Sequence, residues 1–391
     1  MARVDALLRK AIEIGASDAH LAVDLPPIVR RFGQLKRLSS NALGAAQTEG
    51  LLLEILGPEQ RERLKADHEL DFAYEIPGEG RFRCNAFRHR KGIDVCFRVV
   101  MAALPGFEKL GLPKVLEEVC DNHQGLILVT GPAGSGKSTT LAALVDLINE
   151  RRAHHVLTVE DPIEYVHPVK QGAVNQRQLG RHTRSYANAL RAALREDPDV
   201  IMVGELRDVE TIGLAVSAAE TGHLVVGSLN TSSAHKTLYR IIDAYPPAQQ
   251  NQIRAMVGES LKAVFSQKLL PRADGTGVVL AYELLLGSQQ LAAMIKDGKT
   301  FQIPNLMQTG KSRGMRLLDD SLQELLQKGL ISAETAHRAA TNPAAFARPA
   351  AGAEAAAAPS AAPPAASAPA VAPAASAPAV APRPAANSRS R

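Results

Sequence analysis

The sequence predicts an α/β fold: a parallel-sheet domain in the middle, a smaller α+β domain before it and a helical region after it. Three observations carry this prediction. Near-continuous apolar runs at Leu126–Val129, Val156–Val159, Val200–Val203 and Leu224–Leu229 alternate with helical patterns such as Ala187–Leu194 and Val209–Thr221. Strands buried on both faces of a parallel sheet read this way. Ahead of them, short segments alternate apolar and polar side chains, the period of half-buried antiparallel strands. After Leu286 the periodicity is helical to about Ala340.

In chain order, a first amphipathic helix ends near Gly15, Ile28–Leu35 forms a short strand and turn, and Thr48–Leu64 a helix. Asp71–Ile76, Arg81–Arg88 and Asp94–Val100 follow as strands, which closes a domain over residues 1–101. Turn residues from Ala103-Leu-Pro-Gly to Pro113 mark a linker at 102–114. The α/β domain then occupies 115–286, with a long amphipathic helix predicted from Ala248 to Leu269, and the helical region occupies 287–345. Residues 346–391 are almost wholly Ala, Pro and Ser. Methyl groups alone cannot offset the ordering entropy, so a disordered extension or semi-stiff tether is expected.

Composition narrows the function classes. The three cysteines, Cys84, Cys96 and Cys120, form no C-x-x-C pair, which argues against a disulfide framework or structural zinc and suits a reducing cytoplasm. No apolar run approaches the ~20 residues of a membrane span. The net charge is +5, but four arginines and one glutamate after Phe346 account for three of those charges. Aromatics are 4% with no tryptophan, poor material for stacking bases, so no nucleic-acid partner is expected.

The chemistry is concentrated at Gly131-Pro132-Ala133-Gly134-Ser135-Gly136-Lys137-Ser138, a glycine, four residues, then Gly-Lys-Ser. The Leu126–Val129 strand feeds this loop and the helical pattern Leu141–Ile148 leaves it, the context a phosphate-binding P-loop requires. Its glycines let backbone N–H groups turn inward on phosphates, with Thr139 next in line at the positive end of the helix dipole. Lys137 supplies a point charge to the β/γ oxygens and the Ser138 hydroxyl a ligand to Mg²⁺, so ATP and Mg²⁺ are the expected ligands. Two further strands end in carboxylates, at Glu160-Asp161 and at Glu205. In a parallel sheet the ligand crevice lies at the carboxyl ends of the strands, where these acids organise metal and water.

Several stretches together resemble one family. Thr158-Val-Glu-Asp-Pro-Ile-Glu-Tyr-Val-His167 is similar to the Asp box of bacterial secretion and pilus ATPases. Asp197–Asp208 resembles their Walker B, with Gly204 where other P-loop enzymes carry aspartate, and Thr221–Ala234 resembles their His box. Gly15–Leu21, Gly80–Phe87 and Met307–Met315 resemble signatures of the PilT group, the type IV pilus retraction ATPases, and the likeness runs from about residue 5 to 345. It implies a PAS-like N-terminal domain, a RecA-like ATPase domain and a homo-hexamer at the cytoplasmic face of the inner membrane. The hexamer would act on a membrane platform protein, with a paralogous retraction ATPase as a further partner. It implies catalytic roles for Glu205, Glu160, Glu164 and His223, and phosphate contacts from Arg81, Arg83 and Arg98. Spacing alone equally allows those arginines a solvated strand face, and leaves open which acid takes the proton.

Two departures stand out. Asn230 precedes Thr231 where the His box has histidine, and the retraction-associated helix has Ala292 and Lys296 where the family has arginines. They admit a second reading, a catalytically weak accessory ring of PilU type. A third is a secretion-type or nucleic-acid translocase on the same core.

Overall fold

The computed structural model describes residues 2–31, 34–100 and 104–346. Residues 32–33 of the expected first strand and turn, the 101–103 junction and 347–391 of the expected tail lie outside the described residues. Phe346, expected at the head of the tail, is instead buried in one cluster with Leu318 and Leu322.

The N-terminal domain is a six-stranded antiparallel sheet in the order β3-β2-β1-β6-β5-β4. Its strands are β1 (Asp18–Leu21), β2 (Ile28–Arg31), β3 (Gln34–Arg37), β4 (Glu69–Ile76), β5 (Gly80–His89) and β6 (Gly92–Val100). Helix Val4–Glu13 presents Val4, Leu8 and Ala11 to the sheet at the i, i+4, i+7 spacing of one helical face. Phe82, Cys84 and Ala86 of β5 are fully buried beneath it, while Arg81, Arg83 and Asn85 take the opposite face. The helix predicted over Thr48–Leu64 is two helices, Ala45–Leu53 and Pro58–Asp67. Pro58 lacks the N–H a continuing helix needs but suits a first turn.

The second domain is a seven-stranded sheet in the order β13-β12-β7-β11-β10-β8-β9. These strands are β7 (Gly125–Thr130), β8 (His155–Glu160), β9 (Ala173–Gln178), β10 (Val200–Val203), β11 (Leu224–Leu229), β12 (Leu261–Pro271) and β13 (Val278–Leu286). All neighbours run parallel except β12 and β13. Helix Lys137–Arg151 covers one face; helices Tyr186–Ala193, Val209–Glu220 and Pro247–Ser260 cover the other. The central strands are therefore dry on both sides, the reason they read as unbroken apolar runs.

One prediction fails here. The helix expected from Ala248 to Leu269 stops at Ser260, and Leu261–Pro271 is a strand. Leu261 and Val264 enter one core while Ala263 and Phe265 enter the other, an apolar segment whose period is hidden by burial on both faces. Beyond β13 the chain is helical through Ala333–Ala339, as expected, and helix Leu318–Gln327 packs Leu318, Leu322 and Leu325 beside Leu270 and Ala281 of the last two strands.

Candidate nucleotide site

The P-loop leaves the carboxyl end of β7 and enters helix Lys137–Arg151. Gly134 and Gly136 have φ of +77° and +89°, a left-handed conformation that costs glycine nothing. A side chain at Gly131 would lie 2.5 Å from the Gln267 carbonyl oxygen, so that position also has no room for a Cβ. Lys137 Nζ donates to the carbonyls of Gly131 and Pro132 at 2.9 and 3.0 Å, curling over its own loop. Burial lowers the Lys137 pKa, against the pull of Glu205 and Glu164. The Ser135 hydroxyl is buried and has no hydrogen-bond partner among the described residues.

Beside the loop lies a cleft of about 200 Å³ into which Lys137, Ser138, Glu160, Glu164, Glu205 and Arg83 all open. Strand ends aim these acids. Glu160 closes β8 and is buried; its Oε1 accepts from Thr158 Oγ1 at 2.7 Å and Gln176 Nε2 at 3.0 Å. Burial raises its pKa, opposed by those bonds and by the Glu164 N–H. Glu205 follows β10. Its Oε1 accepts from Asn230 Nδ2 at 2.5 Å and its Oε2 from Arg207 Nε at 2.7 Å, and Arg207 also lies 3.6 Å from Asp161. Asn230 thus supplies a donor to an acid of the cleft from the end of β11.

Gly204 explains the unusual acid strand end. A Cβ there would meet the Val159 carbonyl at 3.2 Å and both Glu160 Cα and the Tyr186 hydroxyl at 3.4 Å. A side chain at this strand end is crowded by main-chain atoms, while Glu160 of the adjacent strand already brings a carboxylate into the cleft.

Not every candidate converges. Arg83 reaches the cleft from the N-terminal domain. Arg81 is mostly buried, 4.0 Å from Glu75, and shares a neighbouring cavity with Glu164. Arg98 pairs directly with Arg83 across β5 and β6, but its Nε donates to Asp18 at 3.1 Å and it does not line the cleft. His223 is a correction. It precedes β11, whose first residue is level with Gly125 and whose last is level with Thr130. The whole strand, roughly 17–20 Å at ~3.3 Å per residue, separates it from the P-loop, and its Nδ1 lies 3.1 Å from the Ala218 carbonyl. This chain's own site cannot use it.

Three residues escaped the sequence reading. Gln176 on β9 donates to Glu160 and to the Tyr165 carbonyl, holding the 163–167 loop to the acid. Tyr165 places its hydroxyl 3.0 Å from Thr139 Oγ1. Gln267 on β12 touches the P-loop from behind. Gln267 sits among Ser266 and Lys268 in β12, so nothing in the local sequence marks it out.

The donor set fits magnesium. A serine hydroxyl and carboxylates lining one cleft suit a hard cation that takes one or two protein oxygens and leaves the rest of its shell to phosphates and water. Among the described residues no group of three or more His, Cys, Asp or Glu forms a self-sufficient metal cage, which this mode of binding does not need.

A P-loop beside carboxylate-ended parallel strands defines a nucleotide-binding α/β protein, and comparison with known proteins specifies which. Residues 3–279 match the type II/IV secretion system protein family, to which the chain belongs, as a PilT-type secretion ATPase. It is 46% identical over 340 residues to the type IV pilus retraction ATPase PilT of Pseudomonas aeruginosa, covering 87% of this chain and 98% of that one. Identity to the PilU type IV pilus ATPase of the same organism is 36%, over 84% and 86%. A crystal structure of the pilus retraction motor PilT with bound ADP superposes with a TM-score of 0.82 at 43% identity, over 88% of this chain and 99% of that one. No helix among the described residues is long and apolar enough to cross a membrane.

Proposed function

We propose that the chain is a Mg²⁺-dependent ATPase that powers type IV pilus retraction, and hence twitching motility. It would act as a homo-hexamer at the cytoplasmic face of the inner membrane, pulling through a membrane platform protein and working beside a paralogous retraction ATPase. The observation that carries this reading is the cleft itself: Lys137 and Ser138 from the loop, Glu160 and Glu205 from two strand ends, and Arg83 from the other domain. Higher identity to PilT than to PilU favours a principal motor over an accessory ring.

In this reading the P-loop amides and Lys137 grip the β- and γ-phosphates. Ser138, with Glu160 and Glu164 nearby, would hold Mg²⁺, which when bound neutralises charge on the phosphate oxygens. Glu205 is the group suited to take the proton of an attacking water, oriented by Asn230 on one oxygen and Arg207 on the other. Arg83 neutralises charge spreading over the γ-phosphoryl oxygens, so hydrolysis responds to the approach of the N-terminal domain.

The test is steady-state ATP hydrolysis by the purified protein with and without Mg²⁺, beside pilus retraction in a deletion strain complemented by parent or Lys137→Ala. The variant should hydrolyse at least about 100-fold more slowly and fail to restore retraction. Restoration by Lys137→Ala would remove the motor reading.

A further inference from the structure

We propose that Gln267 is a positioning residue for the phosphate-binding loop: its side-chain amide sets the orientation of one loop peptide so that an N–H, not a carbonyl, faces the nucleotide phosphates. The proposal rests on the nucleotide reading of the cleft and adds a residue from the far side of the loop, on the strand beside β7 and away from the catalytic acids.

Gln267 is 2% exposed, and its strand pairs in parallel with β7. Its Nε2 donates to the Ser135 carbonyl at 2.6 Å, and its Oε1 accepts from Thr140 Oγ1 at 2.9 Å. The amide thus bridges the loop to the first turn of the helix that follows. The Ser135 carbonyl can only accept, so the amide nitrogen must face it, and the Thr140 hydroxyl then finds the amide oxygen. Both contacts are closed to water: Ser135 and Thr140 are each 3% exposed.

A trans peptide points its C=O and the following N–H in opposite directions. Drawing the Ser135 carbonyl back toward β12 therefore turns the Gly136 N–H toward the concave side of the loop. Gly136 accommodates this at φ +89°, where a side chain would come within 3.1 Å of the Gln267 nitrogen. Were that peptide to rotate, a carbonyl lone pair would face the anion and the loop would lose one of its inward donors. The Gln267 main chain braces the other end of the loop, its carbonyl lying against Gly131. A glutamine, donor and acceptor on one planar group, does what neither leucine nor glutamate can do here.

The experiment measures equilibrium binding of ADP and a non-hydrolysable ATP analogue, together with kcat and KM, for the purified full chain and four variants. Gln267→Leu keeps the volume and removes both bonds; nucleotide Kd and KM should rise roughly tenfold, the worth of one buried hydrogen bond. Its kcat at saturation should stay within about threefold, since Glu160 and Glu205 are untouched. Gln267→Glu sets a carboxylate against the Ser135 carbonyl and should weaken binding further. Thr140→Val removes only the outer bond and should raise Kd about threefold. Lys137→Ala serves as the reference for the site. Nucleotide affinity within twofold of the parent for both Gln267→Leu and Thr140→Val, while Lys137→Ala loses binding, overturns the clamp and leaves the nucleotide site standing. A parent that binds no nucleotide removes the underlying reading instead. Should Gln267→Leu not fold, Thr140→Val decides: parental affinity refutes the proposal and a threefold loss supports it.

Discussion

Restoring the aspartate that other P-loop enzymes carry at Gly204 should destroy this site, not improve it. The structure allows the cost to be worked in two parts. The first is space. A Cβ at 204 lies 3.2 Å from the Val159 carbonyl and 3.4 Å from Glu160 Cα, both main-chain atoms within the sheet that cannot swing aside. Overpacking of this kind costs about 1–3 kcal/mol, and Gly204→Ala isolates it. The second is charge. A carboxylate on that Cβ would be a close neighbour of Glu160, and two like charges ~5 Å apart repel by about 3 kcal/mol at an effective dielectric constant of ~20. Glu160 is already disfavoured as an anion by burial, so one of the two acids should take up a proton. The expected outcome is a modest loss of melting temperature for Gly204→Ala, a larger one for Gly204→Asp, and ATP hydrolysis at least ~100-fold below parent in the aspartate variant. Differential scanning fluorimetry and a phosphate-release assay measure both. A Gly204→Asp protein that melts with the parent and hydrolyses ATP at the parental rate would refute the idea that crowding and Glu160 together exclude an acid there.

Other outcomes follow from the same geometry. Because the folded-state pKa of Glu160 lies above its ordinary 4.5, this group favours the fold below pH 4.5 and loses that contribution as pH rises through the folded value. The melting temperature of Glu160→Gln relative to the parent should therefore climb with pH above 4.5 and then level off; a flat difference would contradict the assignment. Asn230→Ala should lower kcat roughly tenfold by freeing one oxygen of Glu205, whereas Asn230→His, which keeps a donor, should retain more activity than alanine. Among the cysteines, half-buried Cys96 should react first with an aromatic disulfide reagent. Cys84, its thiol pushed well above the usual range by burial, and Cys120, pushed up to about 12 the same way, should react only on unfolding.

Much of this architecture is legible in the chain because burial on both faces leaves a plain mark. β7, β8, β10 and β11 are dry runs between helical patterns and were found to within a residue or two. β12 was missed for the same physical reason that made the others easy: eleven residues that feed two cores show no alternation, and a helix directly ahead of it makes the run read as more helix. β9, an edge strand of polar residues, has no apolar period to find. At the site, Lys137, Glu160 and Glu205 were readable from motif spacing and strand ends, whereas Arg83 was named only by family resemblance, since strand spacing alone allows it a solvated face. His223 was misplaced because its box spans a whole strand, with His223 just before the start of β11 and Asn230 just after its end. Gln176 and Gln267 were invisible as functional residues: their work is done through hydrogen bonds to groups far away in sequence.

The charges around the cleft give the two-domain arrangement a physical reason. Three cationic side chains, Lys137, Arg83 and Arg207, face four carboxylates, Glu160, Asp161, Glu164 and Glu205. That is one negative charge in excess, before a triphosphate adds several more. Arg207 is committed to Glu205 and Asp161, and Lys137 is partly desolvated, so little positive charge is left over within the second domain. An anion enters such a site only with a divalent cation or with guanidinium groups brought from elsewhere. Arg83 comes from the first domain, and Arg98 stands beside it one strand away, tethered to Asp18. One domain thus lends positive charge to the other's cleft, and on the proposed reading a change in phosphate charge at the P-loop would alter the force that draws the two together.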